Sequence, residues 1–368
     1  MATLTGILLL ILLLGCLVTS AQISDEKEIA ARYAPIFHQA LGGHPRGDYI
    51  TNFDFDGDWD GTDNWTDAED RRFHLRAYIY YSVVETATHY FIHYADFHAM
   101  DYKGGERKGV IYSDLLRIGA RVLSKGSEPS GKLAEAAIAH ENDMEGTLVV
   151  VERTSGRIAF VETLHHNRFS TYSPEDPTLQ RFSGSTAYEF NAGARAGVDG
   201  RFRTLGSHVE LYVEPKGHGI QAWGTEPVKP EAGFLIYKYA GRAEDPERVA
   251  GEAVGYDLLP IRTTLWERAM RSSQRSNTFA GFKDYGTITI NMVAGPRKIV
   301  LGTIPSAFNG NTGGANMARP PWGWYSVDRR DDPPGLWFFD PATTVKRDYS
   351  LPDSFSTAYL SLPFWAVK

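Results

Sequence analysis

Short runs of hydrophobic and β-branched residues, separated by turn residues, recur along the chain and predict a protein built mainly from β-strands. Aromatic and β-branched positions fill 76–84 and 88–98, where we expect two strands. The clearest unit is a hairpin, in which strands over 147–153 and 157–164 flank the turn Thr154-Ser155-Gly156. Its Leu-Val-Val-Val run is apolar on both faces, so the hairpin should lie at the centre of a sheet.

Further elements follow from the same patterns. Four more strands are predicted at 209–213, 234–239, 287–293 and 299–303. Helical spacing of apolar residues is found over 27–38, 113–139 and 263–275. The last third is rich in Pro, Gly and Trp, which predicts long ordered loops over the sheets, with tryptophans that either cap the core or stack on a sugar or lipid headgroup: Trp322, Trp324 and Trp337. We therefore expect one mainly β domain, a β-sandwich with helical insertions and long C-terminal loops.

The N-terminus has the pattern of a secretion signal. An unbroken Leu and Ile run from Leu8 to Leu14 is shorter than the roughly 20 residues that a membrane-spanning helix needs, and small residues follow it. We expect residues 1–21 to be a signal peptide and 22–368 to be a single β-rich domain that is secreted or otherwise extracytoplasmic. The segment Leu13-Leu14-Gly15-Cys16 also looks like a bacterial lipobox. Cys16 is therefore either a lipid anchor or one more apolar residue of the signal.

The composition and the missing motifs argue against several classes of function. The net charge is −7 with 23% charged residues, so the chain has no basic footprint for nucleic acid. Cys16 is the only cysteine, so an exported domain must be stabilised by its core or by metal ions instead of disulfides. The sequence contains no Gly-x-Ser-x-Gly elbow, Walker loop or paired-glycine dinucleotide motif, which argues against the enzyme classes that carry them.

A candidate metal site precedes the central strand. In an extended chain, side chains alternate, so Asp143 and Glu145 would point to one face, and His140 could close on the same point. Two carboxylates and an imidazole suit a divalent cation. The oxygen-rich set favours Mg²⁺, Ca²⁺ or Mn²⁺ over Zn²⁺, with Ca²⁺ and Mg²⁺ preferred. The alternative is a solvated acidic turn before a strand.

The pattern His140-x-x-Asp143-x-Glu145, placed between an aromatic strand and a β-hairpin, resembles the signature of the necrosis-inducing cytolysins of plant pathogens. It is also similar to the related vacuolar-sorting-like family of secreted and fungal proteins. This resemblance implies that Asp143 and Glu145 hold a divalent cation and that His140 lies beside it. It further implies an upstream aspartate ligand, best matched by Asp96, with Asp101 as the alternative.

The resemblance covers roughly residues 76–220. Later motifs follow in the family's order, namely a turn containing His165 and His166 and a Gly-His-Gly turn at His218. The chain departs from the family pattern at the residues next to the motif positions, which are Ala139, Glu141, Asn142 and Met144. It also lacks the family's disulfide. The resemblance therefore implies the fold and the metal more directly than the toxicity.

An acidic loop gives a second candidate cation site. Asp56, Asp58, Asp60 and Asp67 occupy the first, third, fifth and twelfth positions of a calcium loop, and Gly61 occupies the sixth. The eighth position is Asp63 instead of an apolar residue, and no good helix pattern flanks the loop. The sequence leaves open either a calcium loop of another type or a solvated acidic turn.

Three functions agree with these features. The first is a metal-dependent protein that binds a surface lipid headgroup or glycan. The second is a metal-dependent hydrolase of phosphoesters or glycans, with His140 or His165 activating water and His218 in a tight exposed turn facing the substrate. The third is a structural exported protein whose cations only stabilise loops.

Overall fold

The computed structural model describes residues 25–102, 140–174, 198–224, 230–310, 318–327, 329 and 332–361. The predicted signal peptide, Cys16 and the helical pattern over 113–139 lie outside these residues. Within these ranges, no helix is both long enough and apolar enough to cross a membrane.

Strands dominate the described chain, which confirms the mainly β prediction. In chain order they are β1 (Ile36–Ala40), β2 (Tyr78–Thr86), β3 (His89–Asp101), β4 (His140–Glu152), β5 (Ile158–His165), β6 (Arg168–Pro174), β7 (Gly200–Phe202), β8 (Thr204–Leu205), β9 (His208–Val213), β10 (Ile220–Ala222), β11 (Phe234–Tyr239), β12 (Ala253–Pro260), β13 (Phe279–Asp284), β14 (Thr287–Ile290), β15 (Arg297–Val300), β16 (Thr303–Phe308) and β17 (Tyr359–Ser361).

One mixed sheet contains 13 of these strands, in the order β10-β9-β1-β11-β12-β2-β3-β4-β5-β6-β7, with β17 added beside β2 and β8 beside β9. Most neighbours are antiparallel, but β1–β9, β11–β12, β12–β2 and β6–β7 are parallel pairs. The sheet curls until β10 lies beside β5 and β7, so it is nearly closed into a barrel-like shape. The predicted sandwich would have two separate sheets facing each other. In the structure, two parts of one curled sheet face each other instead.

The two faces of the central strands bury different cores because side chains alternate along a strand. On the inner face, Ile92 and Tyr94 of β3 and Val149 of β4 pack into an apolar interior. On the outer face, Phe91 and Leu148 pack under the C-terminal segment. Both faces of the predicted central hairpin are therefore apolar and buried, as its sequence indicates.

The C-terminal segment is a cover for the outer face. It contains a 3-10 turn at Pro321–Gly323 and helices at Leu336–Phe339 and Pro341–Asp348. Its tryptophans are almost fully buried, and the Trp324 indole N–H donates to the Met144 carbonyl at 3.0 Å. A Cβ placed on Gly146 would meet the Trp324 ring at 2.5 Å, so only glycine fits there. Of the two roles considered for the tryptophans, the described residues show the core-capping one.

Several predicted elements have different ends from those expected. The first helix covers 25–32 instead of 27–38, because Pro35 ends it and the following residues form β1. The helix predicted over 263–275 is a π-turn at Arg262–Trp266 followed by Glu267–Met270. The strands expected at 287–293 and 299–303 are the shorter β14 and β15. The remaining helices are Pro45–Asp48 and Asn64–Glu69.

Candidate functional site

A polar cluster lies where β3 and β4 leave the apolar interior. In the antiparallel ladder, Asp96 is directly opposite Glu145 and His98 is directly opposite Asp143. Opposite residues in such a ladder have Cβ atoms about 4.5–5.5 Å apart and share one face. This is the inner face that carries Tyr94 further along β3. Asp96 and His98 are fully buried, and Asp143 and Glu145 are each only 7% exposed.

His218 completes this cluster from the turn after β9. Its ring stacks on His98, with ring centres 3.7 Å apart and planes 3° apart. Its Nδ1 lies 2.9 Å from Asp143 Oδ2, and its Nε2 lies 3.5 Å from Asp48 Oδ1. The prediction of an exposed His218 is wrong, because the turn folds over the cluster and buries the side chain completely. Its positive φ of 52° agrees with the tight turn that the flanking glycines indicated.

Asp48 is a rigid carboxylate behind His218. Its Oδ2 accepts hydrogen bonds from the Gly42 amide at 2.7 Å and the Tyr102 hydroxyl at 2.8 Å, and its Oδ1 accepts one from the Lys216 amide at 2.7 Å. These bonds fix the carboxylate in place. His218 is thereby held between two carboxylates that come from distant parts of the chain.

The charges of the two stacked histidines differ. Burial opposes charging of His218, but hydrogen bonds to Asp143 and Asp48 outweigh it and raise the pKa of His218 to about 10. Burial and the neighbouring His218 charge lower the pKa of His98. At neutral pH the pair therefore consists of one imidazolium and one neutral imidazole, whose Nε2 lies 3.5 Å from Asp96 Oδ2.

Asp96, His98 and Glu145 each have buried polar atoms without a hydrogen-bond partner among the described residues. Both oxygens of Asp96 and Oε2 of Glu145 are buried without a hydrogen-bond partner among the described residues. Burial, reinforced by the neighbouring carboxylates of Asp143 and Asp96, raises the pKa of Glu145 well above its usual range. Buried carboxylates without partners are costly, so this part of the cluster has the chemistry of a place for a cation.

A second layer of titratable side chains surrounds the cluster towards solvent. His166 Nε2 lies 2.8 Å from Glu214 Oε2, and this hydrogen bond raises the pKa of His166. The Glu214 carboxylate also accepts from the Gln221 amide at 2.8 Å. A Cβ on Gly217 would lie 3.2 Å from the His166 ring and 3.9 Å from Asp101 Oδ2, so these groups are close neighbours. The His166 side chain is 57% exposed and connects the buried cluster with solvent.

His140 and His165, the two candidates for activating water, each contact a neighbouring side chain. The Nε2 of His140 is 3.6 Å from Asp101 Oδ2, and its Nδ1 donates to the Asn142 carbonyl at 2.9 Å. Its ring is therefore engaged with Asp101 and the backbone. His165 is partly buried, with Nδ1 3.4 Å from the Ser170 hydroxyl, and burial lowers its pKa.

The acidic loop gathers a set of residues that overlaps only partly with the predicted one. Asp56, Asp58 and Asp63 bring ligand oxygens within 4.8 Å of one another. Asp60 instead accepts from the Thr62 amide at 2.9 Å and hydroxyl at 2.8 Å. Asp67 lies on the short helix Asn64–Glu69, whose existence the sequence did not indicate. Burial and the charge of Asp58 raise the pKa of Asp56 to about 7.

The two candidate cation sites differ in compactness. Across the ranges that the structure covers, only the acidic loop has three ligand atoms within 4.8 Å of one another. In the buried cluster, Asp143 is held by His218, whereas Asp96 and Glu145 face each other across the ladder. The loop is thus the tighter group, and the buried cluster is the better desolvated one.

Comparison with known proteins finds similarity only at the level of structure. No protein-family model matches the sequence, and no curated protein matches it. A solved toxin fold for microbial attack and plant defense has 12% identity and a TM-score of 0.28, and the match covers 69% of this chain and 79% of that one. Necrosis and ethylene inducing protein 2, from the agent of witches' broom disease of cocoa, has 12% identity and a TM-score of 0.27, with 68% and 77% coverage. A third structure, NLPPya in complex with mannosamine, has 14% identity and a TM-score of 0.28, with 69% and 78% coverage.

The second of these structures is a protein of the necrosis-inducing type that the His140 motif resembles. At this level of identity and superposition, no ligand and no activity are transferred to this chain.

Sequence reasoning missed three members of the buried cluster: His98, Asp48 and Glu214. His98 could have been found, because it lies two residues after Asp96 and so shares its face in a strand. Asp48 and Glu214 carry no comparable signal. They reach the cluster only because the sheet curls and brings the turn after β9 against the start of the chain.

Proposed function

We propose that this chain is a divalent-cation-binding protein that uses the ion to bind an anionic lipid headgroup or a glycan. The observation that carries the proposal is Asp96, a fully buried carboxylate whose oxygens have no hydrogen-bond partner among the described residues and which has Glu145 directly opposite. Natural proteins rarely leave such a group without compensation. A hard cation bound by oxygen ligands would supply it.

The residues that would hold the ion are Asp96, Glu145 and Asp143. All three offer carboxylate oxygens, which favours Ca²⁺ or Mg²⁺ over Zn²⁺. A bound ion would lower the pKa of Glu145, so metal uptake should release a proton at neutral pH. Asp143 would exchange part of its contact with His218 for the ion. His98, with a lowered pKa, is a neutral neighbour that would not repel the metal.

The position of the cluster supports surface recognition. His166, whose side chain is 57% exposed, is close enough for Asp143 to raise its pKa, and a cation in the cluster would offer positive charge to a phosphate, a carboxylate or sugar hydroxyls. The ion would thus join ligand and protein in a site that is otherwise acidic. We propose that export, and a lipid anchor if Cys16 is modified, brings the domain to such a surface. The mass of the mature N-terminus would distinguish cleavage after Ala21 from lipidation at Cys16.

A metal-dependent hydrolase is the second candidate function. The observation that favours it is the His166–Glu214 pair, a partly exposed imidazole held by a carboxylate beside the cluster. Such a pair can take up and deliver protons near a bound ion. Hydrolysis of a phosphodiester such as bis(p-nitrophenyl) phosphate in the presence of Ca²⁺, Mg²⁺ or Mn²⁺, with loss of turnover in His166→Asn, would establish this activity.

Thermal unfolding of the mature protein tests the metal. The protein would be treated with EDTA, dialysed and titrated with Ca²⁺, Mg²⁺, Mn²⁺ and Zn²⁺. An ion present at 100 times its dissociation constant stabilises the folded state by about 2.7 kcal/mol. We expect such a shift in the wild type and its loss in Asp143→Asn/Glu145→Gln. The matched control is Asp56→Asn/Asp58→Asn in the acidic loop.

The control separates the two candidate cation sites. If the shift survives in the cluster variant and disappears in the loop variant, the ion binds at the loop and the proposed site is wrong. If no ion shifts the wild type, the metal proposal fails altogether. Sedimentation with vesicles of phosphatidylcholine, with and without phosphatidylserine, then tests whether the ion mediates headgroup binding.

A further inference from the structure

A groove on the outer side of the curled sheet lies apart from the cluster around Asp96. It has a volume of about 430 Å³ and is formed where the segments 52–55 and 72–76 meet the start of β2 and the end of β12. Its floor includes Tyr78, which pairs in register with β12. The neighbouring Tyr80 belongs to the outer core, whereas Asp96 faces the inner one. The groove therefore does not share residues or a sheet face with the proposed metal site.

Aromatic residues form the walls of this groove. Phe55 and Phe73 lie on opposite loops and pack edge to face, with ring centres 6.4 Å apart and planes 83° apart. Both are partly exposed, together with Tyr78 at the floor. Aromatic rings in an open groove offer apolar surface to the C–H faces of a flat ligand, while a polar rim remains in contact with water.

Polar groups of the groove are available for a ligand. Asn52 and Asp54 lie on one side, two residues apart with Phe53 buried between them. Asp54 Oδ1 accepts from the Trp59 amide at 2.9 Å, which leaves its other oxygen for a hydroxyl donor. No hydrogen bond or ion pair of the Arg76 side chain is found within the described ranges, in contrast to Arg72, whose guanidinium is bound to Asp70.

Arg76 gives the groove its selectivity for charge. An exposed guanidinium without a partner is the group that binds a carboxylate with two parallel hydrogen bonds. Arg72 also lines the groove, but its guanidinium is held by Asp70. His74, at the same end, has Nδ1 3.0 Å from Asp245 Oδ2 and is already engaged.

The shape of the groove limits the class of ligand. It is open along its length, so a small apolar molecule would not be buried to the 70–90% that such ligands usually reach. At its floor, Tyr78 of β2 pairs with Asp257 of β12, so the backbone between these two strands is not available for a peptide to add as a strand. A ligand with flat C–H faces, many hydroxyls and a carboxylate matches the aromatic walls, the Asn52 and Asp54 side chains and Arg76 together.

We infer that this groove binds an acidic saccharide, with sugar rings against Phe55, Phe73 and Tyr78 and a uronic acid carboxylate on Arg76. Asn52 and Asp54 would hydrogen-bond the ring hydroxyls. The inference is independent of the proposed cation, because none of these residues belongs to the buried cluster.

Isothermal titration of the mature protein with trigalacturonic acid, in EDTA, tests the inference, and the neutral trisaccharide maltotriose is the comparison ligand. We expect saturable binding of the acid and at least tenfold weaker binding of maltotriose. Arg76→Gln should reduce affinity for the acid about tenfold or more, as loss of one charge-assisted contact does, and should leave the weak maltotriose binding unchanged. Arg71→Gln is the matched control, because Arg71 is also exposed, lies nearby and does not line the groove.

Three results would overturn the inference. These are the absence of binding heat at millimolar trigalacturonic acid, equal affinity for the neutral trisaccharide, and equal weakening by Arg76→Gln and Arg71→Gln, which would indicate diffuse charge attraction. Melting curves of both variants verify that they fold. The Asp143→Asn/Glu145→Gln variant should bind the acid like the wild type. Loss of the metal-dependent shift without loss of saccharide binding would separate the two sites.

Discussion

The buried cluster and the acidic loop are both groups of carboxylates, but their backbones hold them in different ways. In the cluster, strand register places Asp96 opposite Glu145, and curling of the sheet adds His218 as a resident positive charge. In the loop, successive turns bring Asp56, Asp58 and Asp63 together, and the Asp60 carboxylate accepts a hydrogen bond from the Thr62 amide. The loop carboxylates are close in sequence and form a compact group. The cluster residues come from distant parts of the chain and form a buried group.

This difference predicts what each region contributes without a cation. The cluster is already partly neutralised, by the His218 charge and by the raised pKa of Glu145. The loop lies closer to water, which screens its mutual repulsion. Loss of the His218 charge should therefore change folding stability strongly, and substitutions in the loop only weakly. The predictions below run from the largest to the smallest expected effect.

His218→Asn should be the most destabilising change. It would leave Asp143 and Asp48 buried without their positive partner, a loss of about 3–5 kcal/mol for a broken buried pair. Asparagine is chosen because it tolerates the positive φ of this position. Urea unfolding at pH 7 in EDTA measures the effect. His166→Asn, at the more exposed pair, should cost clearly less, and equal costs would contradict the central role of His218.

Stability of the metal-free protein should fall as pH rises above neutrality. His218 has a pKa of about 10 in the folded protein and about 6.5 when unfolded, so below pH 6.5 both states are protonated and its contribution is complete. Between these values only the folded state keeps the proton, and the contribution is lost progressively up to about pH 10. Urea unfolding from pH 6 to pH 10 would show this decline. A parallel decline in His218→Asn would exclude His218 as its cause.

Glu145→Gln should have opposite consequences with and without a cation. Burial raises the pKa of Glu145 well above its usual range and so favours the neutral carboxyl, for which the amide is a close substitute; in EDTA we expect stability to change by less than about 1 kcal/mol. With the preferred ion, the variant should lose most of the stabilisation seen in the wild type. Melting temperatures in EDTA and in the ion measure both effects. A large loss in EDTA would mean that Glu145 is ionised there.

Asp58→Asn should have the smallest effect. Asp58 is exposed, and its charge helps to raise the pKa of Asp56 to about 7. Removing it relieves repulsion, so in EDTA we expect stability unchanged within about 0.5 kcal/mol or slightly increased. Unfolding by urea at pH 7 measures the change. A loss above 1 kcal/mol would indicate that the loop carries a structural contact through Asp58 and would weaken the contrast between the two regions.

Local sequence patterns predicted the parts of this molecule that depend on local geometry. Alternation places Asp143 and Glu145 on one face, and the aromatic run over 88–98 is part of the partner strand β3. β1 was read as the end of a helix, because its partners β9 and β11 lie about 170 and 200 residues away in the chain. The burial of His218 could not be predicted for the same reason, since it follows from the curl of the whole sheet.

The contact between Gly146 and Trp324 has a consequence for cooperativity. Gly146 follows Glu145 directly, and the Trp324 ring rests on it while its N–H binds the Met144 carbonyl. A residue from the last fifth of the chain thus holds the backbone on the opposite side of the strand that carries the candidate ligands. Detaching the C-terminal segment would free that strand to shift, so the cover and the site should melt as one unit.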